Sequence, residues 1–157
     1  MRRQTAAAAS SSGTREFAPI RIFTAELELD GFVATAGQRI TDILLRGHDL
    51  AFLPAGAEPD PSNWVAIEPS EILIASPPPL AGRWNLHSQR ERWPVELRVG
   101  RYGIRGTAHV GFGETRIDEI AARQTFLPLT DAELTREGVD GSERYAVLIV
   151  NLAKRRR

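Results

Sequence analysis

The stretch IRIFTAELELDG, Ile20–Gly31, decides how this chain folds, because it is met again about 75 residues later as VELRVGRYGIRG, Val95–Gly106. In the first stretch Ile20, Ile22 and Thr24 alternate, the phase slips by one, and Ala25, Leu27 and Leu29 continue. In the second, Val95, Leu97 and Val99 alternate before Tyr102 and Ile104 continue on the opposite parity. Strand side chains alternate between faces with period two, so a shared slip predicts a shared turn or bulge, near Ala25–Glu26 and Gly100–Arg101.

Working outward, the echo continues in the same order. RITDI at Arg39–Ile43 lies over RIDEI at Arg116–Ile120, AFLPAG at Ala51–Gly56 over TFLPLT at Thr125–Thr130, and ILIAS at Ile72–Ser76 over VLIVN at Val147–Asn151. Ordered matches at offsets close to 75 residues are the mark of an internal repeat. Each copy predicts two strands, a short helix, a strand, a variable loop and a strand. The helices are expected at Arg39–Leu45 and Arg116–Ala122, because Ile40, Ile43 and Leu44, and likewise Ile117, Ile120 and Ala121, recur at i, i+3 and i+4. Thr115 three residues before Asp118 predicts a capping box, and Asp42 and Asp118 fall in first turns, where the helix dipole favours an anion. The third strands are expected at Leu50–Pro54 and Gln124–Leu129, each ending near a proline that cannot donate to a ladder. The last, at Trp64–Ser76 and Arg144–Leu152, are rich in Ile, Val and Leu and are expected at the buried centre.

VGRYGIRGTAHV, Val99–Val110, resembles the first half of the Sm-like domain: a strand, a tight Gly-Arg turn, a second strand ending in glycine and a bent return. That resemblance implies a small, strongly bent barrel. The second Sm signature, Ile-Arg-Gly before the last strand, is absent, so the RNA-contacting residues of that family are not carried over. The whole pattern, from Gly-ended hairpin to Val-Asn ending, also resembles an uncharacterised bacterial domain of unknown function, here occupying Ile20–Arg155 as two copies. QRERWPVELRV, Gln89–Val99, is similar to the opening of PilZ domains, and that likeness implies a cyclic-dinucleotide receptor. The downstream Asp/Asn-x-Ser-x-x-Gly partner does not follow it.

These readings together predict a mainly β protein of two tandem small bent β-barrels of Sm-like shape, each with one short helix, packed as an intramolecular pseudo-dimer. The expected division is a disordered tail at 1–17, a first repeat at 18–76, a Pro-rich and then basic and aromatic linker at 77–93, and a second repeat at 94–157. Units this small are marginal alone and are expected to share an interface. The absence of cysteine removes disulfides, thiolate nucleophiles and cysteine-ligated zinc. No run of apolar residues is long enough for a transmembrane helix, and the Ala- and Ser-rich opening is too weakly hydrophobic for a signal peptide, so a cytoplasmic location without integral membrane association is expected.

Net charge is zero, with 20 basic and 20 acidic residues, but it is unevenly spread. Residues 19–79 carry three arginines against nine acids, and residues 80–157 carry fourteen basic residues against ten acids. Opposite halves favour docking on each other or on another copy.

Catalytic patterns are thin: His48, His87 and His109 stand apart, and there is no nucleophile elbow or phosphate loop. The chain is expected not to be an enzyme and to need no cofactor or metal. The binding candidates are Arg83, Trp84, Arg90, Arg92, Trp93, Arg98, Arg101, Tyr102 and Arg105, because arginines interleaved with aromatics suit both protein hot spots and phosphates with stacked bases. The favoured expectation is a binding or scaffold protein acting on a protein partner or by self-association, with the arginines meeting the acidic first copy. A nucleic-acid binder is the alternative. Lys154–Arg157 reads as a solvated end.

Overall fold

The computed structural model describes residues 16–78, 90–111, 113 and 116–156. The elements run β1 (Phe17–Phe23), β2 (Glu28–Ala34), α1 (Ile40–Leu45), β3 (Leu50–Pro54), β4 (Val65–Ile67) and β5 (Ile74–Ser76), followed by β6 (Glu91–Val99), β7 (Tyr102–Val110), α2 (Ile117–Arg123), β8 (Phe126–Arg136) and β9 (Val139–Asn151). A 3-10 turn, Pro69–Glu71, precedes β5, and another, Leu152–Lys154, follows β9.

The phase slips are hairpin turns. β1 and β2 pair from Phe17↔Ala34 to Phe23↔Glu28, and the Thr24 amide donates to the Leu27 carbonyl at 2.8 Å to close the turn. β6 and β7 pair from Glu91↔Val110 to Val99↔Tyr102, turning through Gly100, which takes the positive φ of 57° that the tight turn requires. Both helices begin one residue after the expected start, with Arg39 and Arg116 at their N-caps and no side-chain cap bond from either. Thr115 lies outside the described residues. Ile40, Ile43 and Leu44 are buried as the stripe predicts; on α2 Ile120 is buried, with Ile117 and Ala121 packed beside it.

Nine strands form one antiparallel sheet in the order β4-β3-β2-β1-β5-β9-β8-β7-β6. This corrects the expectation of two closed barrels, and the pairing of β5 with β9 supplies the reason. Ile74 stands opposite Val150 and Ala75 opposite Ile149, so β5 spends its second edge on the other half of the chain rather than on β4. The blocks ILIAS and VLIVN, matched in sequence, are therefore neighbours in the sheet, and they hold different places in the element order: β5 follows its 3-10 turn whereas β9 precedes one. β8 is also longer than expected, running on from Phe126 into a hairpin with β9. Pro128 is tolerated inside it because pairing with β7 goes no further than Leu129.

Two cores lie on opposite faces of this sheet. Along β9, Leu148 and Val150 join one cluster and Val147 and Ile149 the other, and successive strand residues point to opposite faces. β5 divides likewise, Ile74 to the first cluster and Ala75 to the second. α1 thus covers one face of the sheet over the first half, and α2 covers the opposite face over the second. Central strands covered on both faces read as continuous apolar runs, which is what ILIAS and VLIVN are. Each core also borrows from the other half: Phe23, Leu73 and Ile74 enter the α2 cluster, and Phe126, Val147 and Ile149 enter the α1 cluster.

Gly31 and Gly106 occupy matching places, opposite Ile20 and Val95. A Cβ on Gly31 would stand 2.2 Å from the Leu53 carbonyl oxygen, and one on Gly106 would stand 3.0 Å from Leu129 Cβ. Close approach of neighbouring atoms, not turn geometry, favours glycine at both, and at Gly31 the backbone contact requires it.

Candidate functional site

Three surfaces carry the chemistry: a cleft between α1 and the second half, a charged seal over the seam, and an arginine cluster at the β6–β7 turn.

The cleft has a volume of about 680 Å³ and is walled by β1, α1, β8 and β9, with Pro77, Pro78 and Arg90 at its rim. Phe17 and Leu45, 43% and 44% exposed, and Val147 supply apolar surface, and Phe17 rests on Trp64 with ring centroids 5.2 Å apart. Gln38, Gln124, Arg39, Asp42 and Glu16 supply polar groups of both signs. His109 closes one side, its Nε2 2.9 Å from Thr130 Oγ1. Burial, followed by repulsion from Arg92 and Arg90, holds its pKa below the usual value, so it presents a neutral polar ring at pH 7.

The seal is built by Glu28, at the start of β2. Its carboxylate accepts Arg136 Nε at 2.6 Å and Nη2 at 2.9 Å, and the Tyr102 hydroxyl at 3.2 Å, with Arg101 3.8 Å away. The Arg136 bonds keep the Glu28 carboxyl below its ordinary pKa against the opposing effect of burial. Arg136 also donates to Glu143 at 3.0 Å. On the near side Arg21 holds Asp30 at 2.7 Å and reaches the Tyr145 hydroxyl, which donates to Glu143. Beneath these charges Phe23 meets Tyr102 edge-on at 5.3 Å. Acidic first half and basic second half do meet here, through Glu28, although the cations are mainly Arg136 and Arg101.

The candidates in the basic stretch scatter. Arg83 and Trp84 lie outside the described residues. Arg90 reaches the cleft, while Arg92, on the outer face of β6, pairs with Asp131 at 3.6 Å. Arg105 pairs with Glu96 at 3.3 Å across the same face. Trp93 packs against the α2 core, within β6 rather than in the linker where the sequence reading put it. Tyr102 is 1% exposed, with its hydroxyl on Glu28, which leaves no ring face for a stacked base. Its place in the Tyr102–Ile104 alternation already signalled this burial. Arg98 and Arg101 remain together beside Tyr102, and Arg156 joins them, with the Arg156 amide donating to the Arg98 carbonyl at 2.7 Å and Val99 bridged to Arg155.

Of the residues lining the cleft, the binding candidates included Arg90 alone. Phe17, Leu45 and Val147 sit on three separate elements and Gln124 on the link between α2 and β8, and no local pattern joins them.

Against known proteins, no family model, curated protein or solved structure matches this chain. Function must therefore be argued from these surfaces. Among the described residues, no helix is long and apolar enough to cross a membrane.

Proposed function

We propose that this chain is a non-enzymatic binding or scaffold protein that holds a short peptide segment of a partner protein in the cleft between α1 and the second half. The cleft carries the reading. Its volume of about 680 Å³ falls in the range of ligand sites, roughly 300–1,000 Å³, and it combines apolar walls with a few fixed polar groups. Half-exposed Phe17 and Leu45 are the kind of large apolar side chains that anchor a partner, and Gln38 and Gln124 are suited to its backbone amides.

Two features direct binding to the cleft rather than to the sheet edges. β4 is only three residues long, and β6 carries Pro94 and alternating charges, both devices that discourage strand addition. The outer face of β6 and β7 pairs its charges internally, as solvated faces do.

The fold belongs to the same proposal. We read the chain as one bent Sm-like unit built twice and fused as a pseudo-dimer at β5 and β9. The order of strand, strand, helix and strand that opens each half supports this, as do the matching glycines and the Phe-Leu-Pro of β3 and β8. The cleft then lies where two diverged copies meet.

Selection from a displayed random-peptide library tests the function. The expected result is a converging apolar motif whose binding is lost in Leu45→Arg and kept in Arg98→Ser. No enrichment, or enrichment that survives Leu45→Arg in a folded variant, overturns it.

A further inference from the structure

Two basic motifs that lie far apart in sequence, VGR at the β6–β7 turn and KRR after β9, converge in space. Arg98, Arg101, Arg136 and Arg156 line one pocket of about 200 Å³ beside Gly100 and the β8–β9 hairpin. We propose that this pocket is a binding site for a compact phosphate group, of pyrophosphate size, carried by a small molecule.

The guanidinium groups differ in how much of each is already used. Arg136 spends its fork on Glu28 and Glu143, so it forms a charged floor and not a direct ligand. Arg101 bonds the Tyr102 hydroxyl and stands 3.8 Å from Glu28; Arg156 stands 3.7 Å from Glu137. Those two ion pairs are longer than hydrogen bonds, and each guanidinium carries five donors, so both cations keep donors for an incoming anion. Arg98 is exposed on the outer face of β6 at the same rim.

Rigidity distinguishes this cluster from a loose surface of cations. The Glu137 amide donates to the Arg101 carbonyl at 2.8 Å and the Arg156 amide to the Arg98 carbonyl at 2.7 Å, so all three arginines project from backbone locked into one frame. Planar forks on fixed backbone favour phosphate, which arginine recognises by paired hydrogen bonds.

Size decides between ligands. A pocket of about 200 Å³ is below the usual range for whole drug-sized ligands and fits a phosphate or diphosphate. Nucleic acid would also want an exposed aromatic platform, and Tyr102, the ring nearest these arginines, is buried. Arg98 and Arg156 also line a wider groove beside α2, walled by Leu97, Ile117 and Leu152, so the pocket opens to space for the rest of a phosphorylated molecule.

The test is isothermal titration of the full chain with sodium pyrophosphate at constant ionic strength, beside a fluorescent single-stranded RNA 12-mer. Saturable pyrophosphate binding is expected, weakened about tenfold by Arg98→Ser or Arg156→Ser, as loss of one charge-assisted contact predicts. Arg98→Lys keeps the charge but loses the fork and is expected to weaken binding severalfold, while circular dichroism of each variant confirms folding. Absence of pyrophosphate binding, or binding indifferent to all three substitutions, overturns the proposal. RNA binding without pyrophosphate binding overturns it in favour of a nucleic-acid surface.

Discussion

Replacing Glu28 with alanine tests whether the two halves are held by charge as well as by core. The carboxylate receives two bonds from Arg136 and one from Tyr102, and the side chains of Glu28 and Arg136 are only 27% and 17% exposed. Charge-assisted bonds contribute about 1.5–3 kcal/mol each, but they share partners and do not add. Glu143 stays bonded to Arg136 and offsets part of the loss. The expected cost is therefore about 2–3 kcal/mol, out of the roughly 5–15 kcal/mol typical of a folded domain. Urea unfolding followed by tryptophan fluorescence should show the midpoint fall by about 1 M. Glu96→Ala, which removes an exposed pair with Arg105, should cost less than about 0.5 kcal/mol. Arg136 also packs its guanidinium 5.9 Å from the Phe23 ring, so a Glu28→Ala/Arg136→Ala cycle is needed to isolate the ionic coupling. Because the folded-state pKa of Glu28 is depressed, its contribution is complete above the ordinary glutamate value, near ~4.3, and is lost as pH falls through the lower folded value. The stability gap between wild type and variant should accordingly narrow as pH falls below about 4. A coupling below about 0.5 kcal/mol, or a gap that is flat with pH, would refute the electrostatic account of the seam.

Two further substitutions probe the backbone. Gly31→Ala should be much more damaging than Gly106→Ala, because the first places Cβ 2.2 Å from a backbone oxygen and the second 3.0 Å from a side-chain carbon. Thermal melts should show Gly106→Ala costing about 1–2 kcal/mol and Gly31→Ala costing more or failing to fold. Asn151 is 1% exposed, donates to the Ile72 carbonyl at 2.8 Å and accepts the Ala153 amide at 3.0 Å. Asn151→Leu removes the donor from the buried Ile72 carbonyl and the acceptor from the Ala153 amide, and should cost about 1–3 kcal/mol by urea titration, with unchanged stability counting against that role.

Much of the local structure was legible in the sequence, and the reasons are particular. The phase slip at Ala25–Glu26 located a hairpin because alternation cannot change parity without a turn or bulge. The Ile-x-x-Ile-Leu spacing of α1 located its buried stripe by the same kind of periodicity. Pairing was not legible. ILIAS and VLIVN look alike because both strands are buried on two faces, and a continuous apolar run carries no record of which strand lies beside it. The grouping of the arginines was hidden for a related reason: Arg98, Arg101 and Arg105 are close in sequence, but the hairpin turn sends Arg98 and Arg101 toward Arg156, while Arg105 faces Glu96 farther along the ladder. Only the fold could bring the KRR segment to them.

The pairing of β5 with β9 also sets a timetable. β5 is complete at Ser76, whereas β9 does not begin until Val139, about sixty residues later. At roughly 5–20 residues per second, a ribosome needs several seconds to supply that stretch. Throughout the interval β5 has an unpaired edge, and Ile74 lacks most of the α2 core that it later enters. The nascent first half is thus committed to wait for a partner that its own message has yet to deliver, and this is the window in which a chaperone, or a neighbouring nascent copy, finds the chain most receptive.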